Sequence, residues 1–395
     1  MLNIQPTKQE EHVADLLKHV RVANELGQLR KLRHWTRVYL NSFDARYAAV
    51  QRANRRRKIG DRLDEASVRT VATRLNAWKG TDEAVLVHAK RKSSNPASFR
   101  TYMAFGIENS ALQYHVLLLL EQMADIAPCQ YTIRGGMHAA IKHVAKVMST
   151  GPLWAVEVDV IDCYPSFDGK KLKDLLPVPK EVSENVLISE HLNLKGGNLA
   201  NIIKSGPFGP AGGSKASMTL KGMLAAARQG IPQGSAMSPL IAETVLAIAL
   251  REVPDLGDKV GYGDNTLLMA KEASDLVTML EALESALKGH PVGLLKPKQT
   301  LFKPGQPVEF LGHRLIPQSS GKIRIEPSQK AQHRFDTKMR RMLNYLKYEK
   351  LSSAARFRAQ RKARRYVQGW TAAFNLCDGI EDRRTYSLKR IAKAN

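Results

Sequence analysis

The stretch Val260-Gly-Tyr-Gly-Asp-Asn265 lies between two short runs, Asp258 to Val260 and Thr266 to Ala270. It reads as a β-hairpin whose tight turn is made of Gly261, Gly263, Asp264 and Asn265. An acid held at the tip of a rigid turn is well placed to hold a metal, although taken alone such a turn is more often only a hairpin. About a hundred residues upstream, Trp154 to Val160 alternates and is β-rich, which predicts a strand delivering Asp159 and Asp162 at its end. Two strand-borne carboxylates, Asp159 and Asp264, can share a pair of divalent ions about 3.5 to 4 Å apart that clamp the attacking and leaving oxygens of an in-line phosphoryl displacement. Hard oxygen donors together with phosphate oxygens select Mg²⁺ or Mn²⁺ over zinc.

Composition narrows the partner. With 395 residues, 43% of them hydrophobic, the chain is long enough for two or three subdomains around a large core. Sixty-one Lys+Arg against 37 Asp+Glu leave a formal charge of +24, which points to a polyanion. The basic excess recurs in the first hundred residues and again in the last seventy, a spread that suits nucleic acid better than a membrane surface. Cys129, Cys163 and Cys377 are far apart and show no zinc or disulfide spacing, so a reducing compartment is expected. Without a long apolar run or a signal-like N-terminus, the expected location is the cytoplasm, with no membrane partner.

Residues 8–57 read as helical and basic, with apolar residues at helical spacing and Arg30, Lys31, Arg33, Arg37, Arg55 and Arg56 interleaved. Their density beside Trp35 and Tyr39 suits a phosphate-tracking surface. A helix is predicted from Ser67 to Trp78, a polar connection from Lys90 to Ser98, a short strand from Tyr102 to Ile107 and an apolar helix from Ser110 to Ile126. Tyr131 to Met137 is a glycine turn carrying Arg134 at a helix start, which suits either a phosphate grip or a plain helix cap. Residues 170–228 hold two helices and the loop Gly206 to Gly213, which no GKS or GKT closes as a Walker loop. A turn at 231–239 opens the helix Leu240 to Arg251, and a further helix covers Ala273 to Lys288. Phe310 to Leu315 is β-like, and from Pro327 onward the chain is helical. Residues 322–395 carry 20 Lys+Arg against 6 Asp+Glu, among them Arg340, Arg341, Arg361, Arg364 and Arg365.

Asp159-Val-Ile-Asp-Cys-Tyr164, Ile231-Pro-Gln-Gly-Ser-Ala-Met-Ser-Pro239, Tyr262-Gly-Asp-Asn265 and Phe310-Leu-Gly-His-Arg-Leu315 resemble, in this order, palm motifs A, B, C and E of reverse transcriptases. Residues 32–57, Arg100 to Ile107 and Tyr131 to Ile141 are similar to fingers motifs of the bacterial branch that includes group II intron enzymes. Tyr366-Val-Gln-Gly-Trp-Thr-Ala-Ala-Phe374 is similar to the Gly-Trp helix in the thumb of that branch. The resemblance implies an α+β, right-hand polymerase fold: a basic helical region over 1–60, fingers over 61–150, a palm of antiparallel sheet and packed helices over 151–315, and a basic helical thumb over 316–395.

It also implies roles. Asp159 and Asp264 would bind Mg²⁺ or Mn²⁺, with the Val160 carbonyl as a further ligand and Asn265 beside them in the catalytic turn. Tyr164 would exclude a ribose 2′-OH, Gln233 and Gly234 would line the nucleotide pocket with Asp162 nearby, and Arg134 and Arg100 would neutralise the incoming triphosphate. Partners would be an RNA template, nascent DNA and dNTPs, with an oligomer or accessory protein compatible. The sequence departs from the family at Asn265, where a second acid is usual, and at Gln299, where a lysine is usual. Asn265 keeps an RNA-directed RNA polymerase, or a catalytically reduced RNA-binding scaffold, as alternatives. No His-Asn-His nuclease motif, retron-type Val-Thr-Gly signature or variant motif B is present. The chain is thus most similar to the compact defence-associated bacterial reverse transcriptases, and a cognate non-coding RNA in antiphage defence is the expected setting.

Overall fold

The computed structural model describes residues 7–91, 99–197, 220–347 and 351–394. Helices α1 (Lys8–Glu25), α2 (Leu29–Asn41), α3 (Phe43–Arg56) and α4 (Glu65–Arg74) come first. Thr7 and Glu10 form a reciprocal capping box on α1, and the Ser42 and Asp64 side chains cap α3 and α4. Strands β1 (Val85–Arg91) and β2 (Phe99–Ala104) pair antiparallel and lead into α5 (Ile107–Met123). The glycine turn then opens α6 (Gly136–Met148), followed by β3 (Trp154–Val160), a single helical turn Cys163–Ser166, α7 (Gly169–Leu175) and β4 (Leu194–Gly196). Next come α8 (Leu220–Ala227), α9 (Ser238–Arg251), the hairpin β5 (Asp258–Tyr262) and β6 (Asn265–Ala270), and α10 (Ala273–Lys288). Strands β7 (Pro297–Phe302), β8 (Val308–Phe310), β9 (His313–Pro317) and β10 (Ile323–Pro327) precede α11 (Gln329–Leu346), α12 (Ser353–Ala373) and α13 (Ile380–Ala392). Many helices interspersed with mainly antiparallel sheets make this an α+β fold. Among the described residues no helix is long and apolar enough to cross a membrane.

Several sequence expectations are adjusted. Strand β1 was not expected, although Val85, Val87 and Ala89 are buried in alternation with Leu86, His88 and Lys90. Lys90 and Arg91 belong to it rather than to the connection, whose residues 92–98 lie outside the described ones, as does the loop 206–213. The run Phe310 to Leu315 is a hairpin turn between β8 and β9, not one strand. Leu311 and Gly312 have φ of 48° and 77°, the two positive values that a type I′ turn requires.

The chain forms two compact units. One comprises Met1–Pro128, Val160–Glu252 and Leu283–Pro297. Within it α3 packs on α5 and α4, α1 packs on α2 and α5, and the sheet β2-β1-β4 covers Met223 and Ala227 of α8. The α2 pattern explains its orientation: Thr36, Tyr39 and Leu40 are buried, while Arg30, Lys31, Arg33 and Arg37 stay in solvent.

The core of this unit contains a polar pair. Tyr39 and His115 are fully buried with rings stacked at 4.8 Å; the Tyr39 hydroxyl donates to the His115 carbonyl at 2.9 Å, and His115 Nε2 lies 3.3 Å from the Leu40 carbonyl. Burial drives the imidazole pKa down to about 4, against the opposing pull of its hydrogen bond to Leu40. The unfolded chain protonates this group near pH 6.5, whereas the folded chain resists until about pH 4. The contribution is therefore nil above pH 6.5 and increasingly destabilising below it, reaching about 3 kcal/mol at full extent. Urea unfolding at pH 7.5 and at pH 4.5 should show a His115→Gln variant losing about this much less stability between the two pH values than the parent. An unchanged difference would refute the assignment.

The second unit comprises Cys129–Asp159, Val253–Ala282 and Lys298–Asn395. Its main sheet runs β5-β6-β3-β7, with β3 and β5 both antiparallel to β6. Ala155, Leu267 and Met269 pack with Ile141 and Val144 of α6 and with Phe310 and Leu315. Each such fully buried aliphatic side chain contributes roughly 1.5–3 kcal/mol. Because side chains alternate along a strand, Glu157 and Asp159 project on the same face as Ala155, while Val156 and Val158 project on the other. A slip of one residue would bury the carboxylates, so the apolar pattern locks the register. The helices α11, α12 and α13 share a separate core of Phe335, Met339, Leu343, Val367 and Ile391, and the ring of Trp370 in the Gly-Trp segment lies tilted against that of Phe335, centres 4.2 Å apart.

Candidate active site

The hairpin that carries Asp264 has a two-residue turn. Tyr262 pairs with Asn265, so Gly263 and Asp264 alone form the turn, Gly261 lies inside β5 and Asn265 opens β6. Gly263 has a φ of +60°, whereas Asp264 is not among the residues with positive φ. This is the type II′ arrangement, with glycine at its first central position. A segment from the start of the unit pins it: Gly261 donates to the Cys129 carbonyl at 2.8 Å, Tyr131 donates to the Gly261 carbonyl at 2.9 Å, and Gly263 donates to Thr132 Oγ1 at 3.2 Å. The same segment continues into the glycine turn with Arg134, whose side chain is exposed. Arg134 is thus carried by backbone that is hydrogen-bonded to the Asp264 hairpin.

Register brings the second carboxylate to the turn. Asp159 on β3 is the Cα partner of Asn265 on β6, one residue from Asp264. Asp159, Asp264 and Asn265 are all half-buried. Asn265 Nδ2 donates to Asp264 Oδ1 at 3.1 Å, so the amide that stands where the family usually has a second acid orients the first. Glu157, two residues before Asp159 on the same face, was not singled out by the sequence reading, though its i−2 spacing on a strand is a readable signal. Burial, then the Asp159 and Glu309 carboxylates, push the Glu157 carboxyl up to about 7, against the pull of Lys298 and Lys330. Glu157, Asp159 and the turn that bears Asp264 thus lie toward one end of the sheet.

The donor set fits a hard divalent ion. Among the described residues no cluster of three or more His, Cys, Asp and Glu gathers as a metal cage. The donors on offer are two carboxylates, with backbone carbonyls nearby. Such a sparse oxygen set suits Mg²⁺, which keeps several waters and takes substrate phosphate oxygens as further ligands.

In the other unit a second group of expected residues is assembled. Val160 is buried at the end of β3, and Asp162 adopts the left-handed conformation, φ 50°, between that strand and the turn Cys163–Ser166. Aspartate tolerates this region better than most side chains. Tyr164 is half-buried, and its carbonyl accepts from the Ile231 amide at 3.1 Å. The Gln233 carbonyl accepts from the Met103 amide of β2 at 2.7 Å, and Ala236 donates to the Gln113 side chain at 3.4 Å. Gly234 has a φ of +108°, and a Cβ there would lie 2.6 Å from the Met103 carbonyl oxygen. Only glycine permits this approach of the turn to the strand. Arg100 lies on the exposed face of β2, opposite Lys90, next to the stacked pair of His88 and Tyr102. Met103 and Gln113, which hold the turn, could not be found from local pattern.

The expected nucleic-acid-binding cations are surface residues. Arg30, Lys31, Arg33 and Arg37 on α2, and Arg55 and Arg56 on α3, are exposed, as are Arg340 and Arg341 on α11 and Arg361, Arg364 and Arg365 on α12. Gln299 and Lys298 sit on β7, beside β3.

Residues 90–315 match a family described as reverse transcriptase (RNA-dependent DNA polymerase). No curated protein matches the chain.

Proposed function

The chain belongs to the reverse transcriptase (RNA-dependent DNA polymerase) family, and from that premise we propose that it is an active RNA-directed DNA polymerase whose chemistry is centred on Asp159 and Asp264. The observation that carries this reading is the pairing of Asp159 with Asn265, which sets one carboxylate beside the turn that bears the other. Asp159, Asp264 and the Val160 carbonyl would hold Mg²⁺, or Mn²⁺ in its place. When bound, the two ions supply activation of a primer hydroxyl and charge for the departing pyrophosphate.

The chain's own residues do the rest. Asn265 holds the Asp264 carboxylate through its amide and adds no charge. The Tyr164 ring fills the space of a ribose 2′-OH, while Gln233 and Gly234, fastened to β2, shape the nucleotide pocket with Asp162 nearby. Arg134 and Arg100 neutralise the triphosphate. The exposed cations of α2, α3, α11 and α12 follow nucleic-acid phosphates, a contact that needs charge more than sequence. In this reading residues 1–60 form a basic helical entry region, 61–150 the fingers, 151–315 the palm and 316–395 the thumb.

Primer extension on an RNA template tests the reading. Incorporation of dNTPs with Mg²⁺ or Mn²⁺ is expected. Incorporation of NTPs alone would favour an RNA-directed RNA polymerase, the reading that the Gly-Asp-Asn turn supports, and no incorporation with either ion would leave an RNA-binding scaffold. A Tyr164→Ala variant keeps the backbone bond to Ile231 and should raise NTP use relative to dNTP use by about tenfold or more. An unchanged ratio would remove Tyr164 from sugar selection.

The biological setting proposed is antiphage defence with a dedicated non-coding RNA, cytoplasmic and with an oligomer or accessory protein compatible. It rests on the resemblance to compact defence-associated enzymes. Sequencing of RNA and DNA that co-purify with the protein should return one dominant RNA and its complement; random cellular RNA would overturn it.

A further inference from the structure

Outside the residues of the family match, α11 and α13 enclose a pocket of about 430 Å³. That is inside the range of roughly 300–1,000 Å³ usual for small-molecule sites. Phe335 and Met339 line it and are themselves buried. Its charged lining is three arginines, Arg340, Arg383 and Arg390, against one acid, Asp336. The acid is already neutralised, since Asp336 pairs with Arg383 at 2.8 Å. Arg383 is further held 5.3 Å from the ring centres of both Phe335 and Trp370. Arg340 and Arg390, one from each helix, are exposed and have no carboxylate partner among the described residues. The Arg390 guanidinium lies 5.6 Å from the centre of the Tyr386 ring, and Tyr386 is 63% exposed.

We propose that this pocket receives the 5′-phosphorylated terminal nucleotide of a single-stranded RNA, with Arg340 and Arg390 on the phosphate and Tyr386 against the base. Two planar guanidinium forks from opposing helices suit the oxygens of a phosphate, which accept paired N–H donors. An exposed aromatic ring beside a cation is the usual platform for an unpaired base. A carboxylate peptide would use the forks and leave the ring idle. A duplex would keep its bases stacked inside and could not place one in the pocket. A terminal nucleotide enters end-on, whereas an internal one must bring both neighbours with it. The inference extends the nucleic-acid-binding reading of Arg340 and is independent of the polymerase chemistry.

The test compares one short single-stranded RNA carrying a 5′-phosphate with the same RNA carrying a 5′-hydroxyl, by fluorescence anisotropy on the full chain. The phosphorylated form should bind about tenfold more tightly, and a free nucleoside 5′-monophosphate should compete with it. The preference should fall below about twofold in Arg340→Ala/Arg390→Ala and to an intermediate value in Arg340→Lys/Arg390→Lys, which keeps charge but loses the forks. Tyr386→Ala should weaken binding of the phosphorylated RNA about fivefold, and Tyr386→Phe should not. Circular dichroism and melting confirm that each variant is folded. The proposal fails if the parent protein binds both RNAs equally, or if the preference survives in the double alanine variant. An Asp264→Ala variant should retain the full preference, so that loss of synthesis and loss of 5′-end binding are separate results.

Discussion

Replacing Asp264 with alanine should abolish DNA synthesis. Extension of a primed RNA template by dNTPs is expected to fall by at least about a thousandfold, equivalent to roughly 4 kcal/mol of transition-state stabilisation. Retention of RNA in a filter or gel-shift assay should change by less than about twofold, because in the proposed reading binding would rest on phosphate contacts made by cations elsewhere. Asp264→Asn sharpens the test. The substituted amide keeps an oxygen that can accept from Asn265 Nδ2, now 3.1 Å from Asp264 Oδ1, so the turn keeps its shape and only the charge is removed. A comparable loss in both variants assigns the effect to charge, and hence to ion binding. Synthesis that survives Asp264→Ala would sink the site. The experiment is demanding here because Asn265 supplies no second charge at the hairpin, which leaves Asp159 and Asp264 as the pair on which the divalent ions would depend.

Gly234→Ala is expected to have the next largest effect, through geometry rather than charge. Two penalties coincide at this position. A φ of +108° is strained for any residue with a Cβ, and the new Cβ would meet the Met103 carbonyl oxygen at 2.6 Å. Strain of this kind costs about 1–3 kcal/mol before the clash is counted. Relief requires the turn to retreat from β2, which breaks the 2.7 Å bond from the Met103 amide to the Gln233 carbonyl and displaces Gln233 itself. dNTP incorporation should therefore drop by about a hundredfold or more, with a raised KM for dNTP. Gly379→Ala is the matched control. Its φ is +70°, yet a Cβ there would meet nothing within 4 Å. It should cost about 1 kcal/mol of stability and leave incorporation unchanged. Equal loss in both variants would mean that general destabilisation, not the fit of the turn on β2, is responsible.

Much of this arrangement was legible in the residues. The bounds of β3 and α10 follow from alternation over Trp154–Val160 and helical spacing over Ala273–Lys288. Both are local patterns, set by which side chains a strand or helix must turn inward. The hairpin was equally legible, but its turn is narrower than the glycines suggest, because Gly261 is spent on the ladder with β6 and on bonds to Cys129 and Tyr131. The pairing of β1 with β4 was not legible, since it is parallel and joins Val85 to Leu194 across a hundred residues of chain. Nor was the turn at Leu311 and Gly312, which requires a leucine in a conformation its side chain disfavours and which the β8–β9 pairing enforces.

By itself, the sequence determined the kinds of element, the two carboxylates, the aromatic residue after the first of them, the basic helical ends and the resemblance that placed these in order. Those properties depend on residue type and spacing, which the linear chain carries in full. Only the tertiary structure decided that Asp159 faces Asn265, that the Asn265 amide is spent on Asp264, that Glu157 joins Asp159 with its carboxyl pushed up to about 7, and that Met103 and Gln113 hold the turn of Gln233 and Gly234. Each of these results from atoms distant in sequence brought within a few ångströms by burial and hydrogen bonding. Strand register and local dielectric are properties of that packing, and neither exists until the core has closed.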